Sequence, residues 1–232
     1  MNRYEFPKEF WWGVSITANQ SEGAWLKDGR TLSSYDKVFK EDPWRFESLK
    51  HGPDKASDFY HRYKEDIRLA KEMGLNTFRL TISWSRLIPN GMKYGVNEKA
   101  VEFYRSVFEE IRNAGMEPFV ALMCFDSPAY LWVDGGIWDR PEIIDEFEYY
   151  AQQCFENFGD LVKKWFSAVE AGITIKLGYQ FMNHPPFVSD FKRFTQAMFN
   201  WFLCNAKFVR AFKQANITGD VGTLHVVHTT YP

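Results

Sequence analysis

A glutamate that follows a short apolar run is the first candidate for chemistry in this sequence. Lys164–Val169 reads as a short buried strand, Glu170 follows it directly, and an irregular segment is expected after it. Barrel enzymes keep their catalytic groups at the C-terminal ends of parallel strands, so Glu170 could act as a general acid/base. It could also cap a loop or pair with an arginine, since single carboxylates are common at strand ends. On this stretch alone the second interpretation is favoured.

Polar and aromatic residues follow or interrupt the other apolar runs too. If those runs are parallel strands, these residues share one mouth with Glu170. Amides and carboxylates bond hydroxyl groups while an indole ring stacks on a sugar face, so the set suits a polyhydroxylated ligand. Its members are Gln20 and Glu22 after the first run, Arg79 and Trp84 in and after the second, and Cys124, Phe125 and Asp126 after the third.

Several of these residues have a plainer interpretation. Packing in the core or in a loop accounts for Gln20 and Trp84 equally well. An arginine buried inside a strand requires a carboxylate partner, which favours a site for Arg79. Asp126 precedes Ser127 and Pro128, so it is interpreted as a turn or cap residue rather than a catalyst.

The candidate residues need a scaffold, and the hydrophobic pattern supplies one of alternating strands and helices. Apolar residues recur at spacings of three and four along the helices, while the strands are unbroken apolar runs that suggest burial on both faces. The predicted helices are 54–73, 96–114, 140–158 and 190–215, with a short helical turn near 33–39. The predicted strands are 10–16, 76–82, 117–124, 164–169 and 220–227.

Strands that alternate with long helices indicate right-handed βαβ units and a parallel sheet. About four and a half units make either an open, doubly wound sheet or part of an eight-stranded barrel. A full barrel with loops this long would need roughly 400 residues, scaled from about 250 for a typical barrel. With 232 residues, the barrel interpretation means a fragment. Its first and fifth strands would then have open edges, which invite pairing with another chain.

Composition and charge exclude several classes of function. The 28 basic and 30 acidic residues are spread along the chain, so neither nucleic acid nor a membrane is an expected partner. No run approaches the roughly 18 apolar residues of a membrane span. The sequence contains no phosphate-binding glycine loop, dinucleotide motif or nucleophile elbow, and we expect no cofactor.

The cysteines and histidines also argue against particular kinds of site. The three cysteines include no CxxC pair and the five histidines have no metal-ligand spacing, so neither a disulfide framework nor a metal site is predicted. Cys154 and Cys204 fall in helical patterns and are expected to be core thiols. His225 and His228 flank the fifth strand and could point into a barrel mouth. A reduced, cytoplasmic protein is predicted.

Taken together, these motifs resemble glycoside hydrolase family 1. The resemblance covers nearly all 232 residues and is carried by segments 6–13, 17–25, 60–67, 78–86, 118–122 and 150–160. Segments 179–181 and 190–193 look like the 6-phospho-β-glucosidase branch of that family. The resemblance implies a partial (β/α)8 TIM barrel, with residues 1–232 forming the N-terminal half of a single barrel.

The resemblance also implies roles for particular residues. Gln20 matches a glutamine that bonds sugar hydroxyls, Arg79 an arginine beside the nucleophile, and Glu170 the acid/base glutamate. Val169 stands where the family has an asparagine that contacts the 2-hydroxyl, and Cys124 stands where it has a sugar-binding histidine. Phe125 is predicted as a substrate-binding residue beside Cys124. The nucleophile glutamate and the phosphate-binding loop belong to the family's C-terminal half.

Three hypotheses follow for function. The first is a retaining 6-phospho-β-glucosidase lineage, acting on a β-glucoside or 6-phospho-β-glucoside if complemented, with the chain inactive alone because one of two required carboxylates is missing. The second is a half-barrel that binds sugar and assembles with a C-terminal half, or with itself through its open strand edges. The third is a decayed gene fragment with relaxed site positions.

Overall fold

A computed structural model, which describes residues 5–42 and 52–226, contains the predicted parallel sheet. Five strands lie in the order β1-β2-β3-β4-β5, and every neighbouring pair is parallel. The α/β class and the parallel strands are therefore as predicted. The strands are β1 Gly13–Ser15, β2 Thr77–Thr81, β3 Glu117–Met123, β4 Lys164–Val169 and β5 Asp220–Leu224.

Helices connect the strands and alternate with them along the chain. Longer helices cover one face of the sheet, while shorter ones stand near the strand ends. In order they are α1 Ala18–Ser21, α2 Ser34–Glu41, α3 Phe59–Glu72, α4 Trp84–Leu87, α5 Glu98–Asn113, α6 Glu142–Phe158, α7 Ala171–Tyr179 and α8 Phe191–Ala215. None of the described helices is both long and apolar enough to cross a membrane.

The packed core lies between the long helices and the outer face of the sheet. Ile111 of α5, Phe147 of α6 and Trp201 of α8 are almost fully buried there, as are Cys154 and Cys204. Both cysteines are free thiols, as predicted. Each large apolar side chain that is buried in this way contributes about 1.5–3 kcal/mol.

The prediction that residues 10–16 form a strand buried on both faces was wrong. Only Gly13–Ser15 is a strand, and Trp11 and Trp12 are 48% and 46% exposed. β1 has a single described neighbour, β2, so its outer side lacks a covering strand. Gly13 is needed for that pairing, because a Cβ there would lie 2.4 Å from the Thr77 side chain.

Two further boundaries differ from the predictions. The irregular segment expected after Glu170 is helix α7, whose glycines obscured its periodicity in the sequence. The helix predicted at 54–73 begins only at Phe59, after Asp58 takes a left-handed φ of 60°. β5 ends at Leu224, and the last predicted strand residue, Val227, lies outside the described residues.

The inner face of the sheet is apolar but only half-covered. The ring of Phe119 lies 5.4 Å from that of Trp11 and 6.1 Å from that of Phe166, centroid to centroid. Nearer the strand ends, Cys124 and Val169 form a small buried cluster with Ala121. This inner face leads directly to the predicted site residues.

Candidate active site

Glu170 stands at the junction of β4 and α7, and its backbone is fixed from both sides. Its N–H donates to the carbonyl of Leu224 in β5 at 3.0 Å, and its own carbonyl accepts from the amides of Ile173 and Thr174 at 3.0 and 3.1 Å. Its φ of 56° and ψ of 38° lie in the left-handed region. Non-glycine residues in this region cost about 1 kcal/mol or more and concentrate at functional sites.

The Glu170 side chain is free of the usual structural contacts. It is half-buried, and its carboxylate makes no hydrogen bond or ion pair with any residue in 5–42 or 52–226. The pairing of β4 with β5 shifts register between Phe166 and Val169, just before this residue. Such irregularities re-aim side chains and recur beside active sites. The cap and ion-pair alternatives for this side chain find no support.

Cys124 shows which charges gather at the same strand ends. Burial, above all, raises the pKa of its thiol to about 12, and the negative charges of Asp126 and Glu170 act in the same direction. The positive charge of Arg79 opposes them. The thiol is therefore protonated at neutral pH, which makes Cys124 a small apolar wall rather than a nucleophile. Arg79 and Glu170 are thus both within electrostatic reach of Cys124.

Arg79 differs from its prediction in one respect. Its guanidinium is half-buried and donates to the Ser15 hydroxyl at 3.0 Å, and within the described part of the chain it has no carboxylate partner. The sequence argument assumed full burial, whereas the guanidinium is only half-buried because the inner face of the sheet is open here. Water solvates the guanidinium, so an ion pair is not required.

Gln20 lies on α1, above the end of β2, with an exposed side chain. Its amide oxygen accepts from the Thr17 hydroxyl at 2.9 Å, and the Ala18 amide anchors the short helix to the Thr81 hydroxyl at 2.7 Å. The amide nitrogen of Gln20 has no partner among the described residues. It is available to a ligand, in line with the hydroxyl-binding role that the sequence predicts.

Glu22 is a structural residue rather than part of the mouth. One carboxylate oxygen accepts from Arg86 Nε at 2.9 Å, and the other accepts from the hydroxyl of Tyr104. Both members of the ion pair are almost completely buried. The Arg86 guanidinium also lies 4.3 Å from the centre of the Tyr60 ring. This network holds the end of the β1–α1 segment against α4 and α5.

Trp84 and Asp126 likewise belong to the interior. Trp84 is buried and stacks on Tyr150 with ring centroids 4.9 Å apart, which decides between packing and sugar stacking in favour of packing. Asp126 lies at a turn, where its amide donates to the Cys124 carbonyl at 2.8 Å. Its carboxyl is buried, and burial raises its pKa to about 7 despite the nearby positive charge of Arg30.

Tyr35 and His184 border the site, although the sequence did not identify them as site residues. The Tyr35 hydroxyl hydrogen-bonds His184 Nδ1 across 149 residues of sequence. The imidazole lies 5.4 Å from the Phe125 ring, centroid to centroid, and Phe125 itself has a φ of 66°. Sequence spacing tested His184 only as a possible metal ligand. No spacing rule links two residues that meet only through the fold.

Two other histidines, His225 and His228, and possible metal ligands were also considered for the site. His225 follows β5 with an exposed side chain, and His228 lies outside the described residues. Within 5–42 and 52–226 no group of three His, Cys, Asp or Glu side chains is placed to hold a metal ion. The candidate site predicted from the sequence therefore remains Glu170 and Arg79, the amide of Gln20, and a wall formed by Cys124, Phe125 and Val169. One free carboxylate can give and take protons, so this arrangement suits acid/base chemistry.

Comparison with known proteins identifies the family. The model of glycosyl hydrolase family 1 matches residues 2–232, so the chain belongs to that family. It is 44% identical to 6-phospho-beta-glucosidase GmuD of Bacillus subtilis, over 99% of this chain and 49% of the relative. It is 39% identical to a 6-phospho-beta-galactosidase of Clostridium acetobutylicum, over 98% of this chain and 46% of that enzyme. The predicted family is confirmed.

Solved structures agree with the sequence comparison. The beta-glucosidase from Thermotoga maritima, in complex with castanospermine, superposes with a TM-score of 0.88 at 33% identity. The match covers 95% of this chain and 49% of that one. The predicted fold class, a partial (β/α)8 barrel with parallel strands, is confirmed. The chain spans about half the length of the relatives it matches.

Proposed function

We propose that this chain supplies the acid/base half of a retaining β-glycosidase site for a β-glucoside or 6-phospho-β-glucoside. The observation that supports the proposal best is the free carboxylate of Glu170 at the end of β4. Both Glu170 and Arg79 lie within electrostatic reach of Cys124. Membership of glycosyl hydrolase family 1 gives this carboxylate a reaction class. The 6-phospho-beta-glucosidase and 6-phospho-beta-galactosidase among the relatives favour a phosphorylated substrate in carbohydrate metabolism.

In this proposal Glu170 acts twice. It first donates its proton to the leaving glycosidic oxygen, and it then takes a proton from the water that releases the sugar. The unpaired nitrogen of Gln20 donates to a hydroxyl of the bound sugar. Arg79 stabilises the negative charge of a nucleophilic carboxylate across the mouth. Retaining enzymes need that second carboxylate about 5 Å from the acid/base.

The proposal includes inactivity of the 232-residue chain on its own. By resemblance the nucleophile belongs to the C-terminal half of the family's barrel, so no glycosyl-enzyme intermediate can form without it. Val169 adds a second deficit, because its apolar side chain cannot bond a 2-hydroxyl whose contact strengthens in the transition state. Free thiols at Cys124, Cys154 and Cys204 suit a reducing compartment, so the proposed location is the cytoplasm.

A second candidate function, assembly with another polypeptide, has support of its own. Within residues 5–42 and 52–226, β1 and β5 each have a single neighbouring strand. A groove of about 380 Å³ between α8 and β5 is lined mainly by apolar side chains, including Phe202 and Val221. Open sheet edges and apolar grooves favour association. A C-terminal half-barrel is the proposed partner, and a second copy is the alternative.

An assay of the purified chain tests both parts of the proposal. Incubated alone with the chromogenic substrates p-nitrophenyl β-D-glucoside and its 6-phosphate, the chain should release no p-nitrophenol. Co-expressed with the C-terminal half of a family 1 relative, it should elute as a complex and gain turnover that Glu170→Gln abolishes. Turnover by the chain alone that Glu170→Gln removes would refute inactivity. A complex whose turnover does not depend on Glu170 would refute the acid/base assignment.

A further inference from the structure

The Tyr35–His184 pair has a feature that the proposed function leaves unused. The hydrogen bond to Tyr35 occupies only Nδ1 of the imidazole. The other ring nitrogen, Nε2, has no hydrogen-bond partner among residues 5–42 and 52–226, although the ring is half-buried. A contact that merely joined α2 to the segment after α7 would need one nitrogen, whereas this arrangement leaves a second one free.

The protonation states of the pair follow from its surroundings. Burial, followed by the negative charge of Asp126, raises the pKa of Tyr35, so its phenol keeps its proton. Burial also lowers the pKa of His184, so the imidazole is neutral at pH 7. If the phenol donates to Nδ1, the single proton of the neutral ring is on Nε2. The pair therefore offers one neutral N–H donor.

The position of the pair connects it to the candidate active site. The imidazole packs against the ring of Phe125, which directly follows Cys124 at the end of β3. Asp126 and Cys124 are within electrostatic reach of the Tyr35 phenol. Cys124 is in turn within electrostatic reach of Glu170. The donor therefore lies beside the end of β3, next to the candidate active site.

We propose that His184 Nε2–H, held in place by Tyr35, binds an uncharged hydroxyl group of the carbohydrate ligand. The inference rests on the proposed function, because it requires a glycoside in the mouth above Glu170. A neutral donor suits a hydroxyl better than a phosphate, which is recognised by guanidinium or ammonium groups. The pair thus selects for hydroxyls irrespective of whether the sugar is phosphorylated.

Two substitutions of His184 distinguish ligand binding from a purely structural contact between α2 and the segment after α7. In His184→Asn the side-chain amide replaces Nδ1, so the bond to Tyr35 persists and the Nε2 donor is lost. In His184→Gln the amide reaches the position of Nε2, so the donor persists and the bond to Tyr35 is lost. Binding of p-nitrophenyl β-D-glucoside and its 6-phosphate to the purified chain is measured by calorimetry, and thermal unfolding is measured on the same samples.

The proposal expects His184→Asn to weaken binding of both ligands about 3- to 10-fold, the range for one neutral hydrogen bond, with unchanged thermal stability. His184→Gln should bind within about 2-fold of the wild type. Equal binding by His184→Asn and the wild type would overturn this inference and leave the proposed function intact. Absence of binding by the wild-type chain would also overturn this inference and leave the acid/base proposal, which is tested in the completed barrel, intact.

A spectroscopic measurement keeps the inference testable if a variant fails to fold. In ¹⁵N NMR of the wild-type chain the imidazole of His184 should be protonated at Nε2, and saturation with either ligand should move that resonance. Tyr35→Phe should give a mixture of the two tautomers, because it removes the group that fixes Nδ1 as the acceptor. A His184 Nε2 resonance that stays unchanged at saturation would overturn the proposal.

Discussion

Glu22, directly after α1, and Glu170, at the end of β4, have opposite surroundings. Glu22 is almost completely buried, and its two oxygens are taken by Arg86 and Tyr104. Glu170 is half-buried, and its carboxylate has no such partner within the described residues. A carboxylate whose acceptor sites are filled stabilises the fold, whereas an unpaired one at a strand end is available for proton transfer. The contacts of a residue therefore separate these roles better than its type or position.

The largest expected effect concerns the buried member of this comparison. Glu22→Gln should lower the free energy of unfolding by about 3–5 kcal/mol, because it leaves the Arg86 guanidinium buried without its counter-charge. Urea denaturation measures the loss. The double variant Glu22→Leu with Arg86→Met is the matched control and should recover most of it, since a well-packed apolar pair can replace a buried ion pair. A loss below about 1 kcal/mol would contradict the structural role.

A third carboxyl, that of Asp126 in the interior, is buried like that of Glu22 but lacks a comparable partner among the described residues. Burial raises its pKa from 3.8 to about 7, with Asp36 and Glu22 adding to the shift and Arg30 opposing it. A folded pKa above the unfolded one means that the folded state binds the extra proton between those two values. The contribution to stability is therefore complete below about pH 4 and is lost as pH rises to about 7.

Asp126→Asn removes this dependence and tests its sign. Relative to the variant, the wild-type chain should lose up to about 4 kcal/mol of unfolding free energy between pH 4 and pH 8, because each unit of pKa shift is worth about 1.4 kcal/mol. Urea denaturation of both proteins across this range measures the difference, in which the titration of other groups cancels. A difference that is flat, or that grows in favour of the wild type as pH rises, would contradict the raised pKa.

The scaffold was predictable from the sequence because its signals are local. Periodic apolar residues and closing glycines located the long helices, and the bounds of β4 were as predicted. Helix α7 was missed because Gly172 and Gly178 interrupt its pattern, while the structure secures it through Tyr179. The hydroxyl of Tyr179 accepts from the amides of Ile137 and Trp138 at 3.0 and 2.9 Å. Contacts of this kind span about 40 residues and leave no periodic trace.

The site was predictable only in part, for the same reason. Strand ends brought Glu170, Arg79 and Cys124 to one mouth, and the family resemblance supplied their expected roles, which remain predictions. Neither source could show that Glu22 is satisfied by α4 and α5. The contact of Tyr35 with His184 was equally unpredictable, since it depends on how α2 and the segment after α7 fold over the sheet. The sequence predicts which strand end carries a polar group, whereas the contact partners of that group are known only from the folded structure.

The smallest expected change in stability tests the other half of the comparison. Glu170→Gln should alter the free energy of unfolding by no more than about 0.5 kcal/mol, because no hydrogen bond or ion pair to a described residue is lost. Glu9→Gln, which changes an exposed glutamate, provides the control.

In a barrel completed with a C-terminal half, the same Glu170→Gln change should lower turnover about 100- to 10,000-fold, the usual effect of losing a general acid/base. A variant that loses more than about 1 kcal/mol of stability would place Glu170 with Glu22, as a residue that the fold requires. A small stability change joined to a large loss of turnover is the combination that only the catalytic interpretation produces.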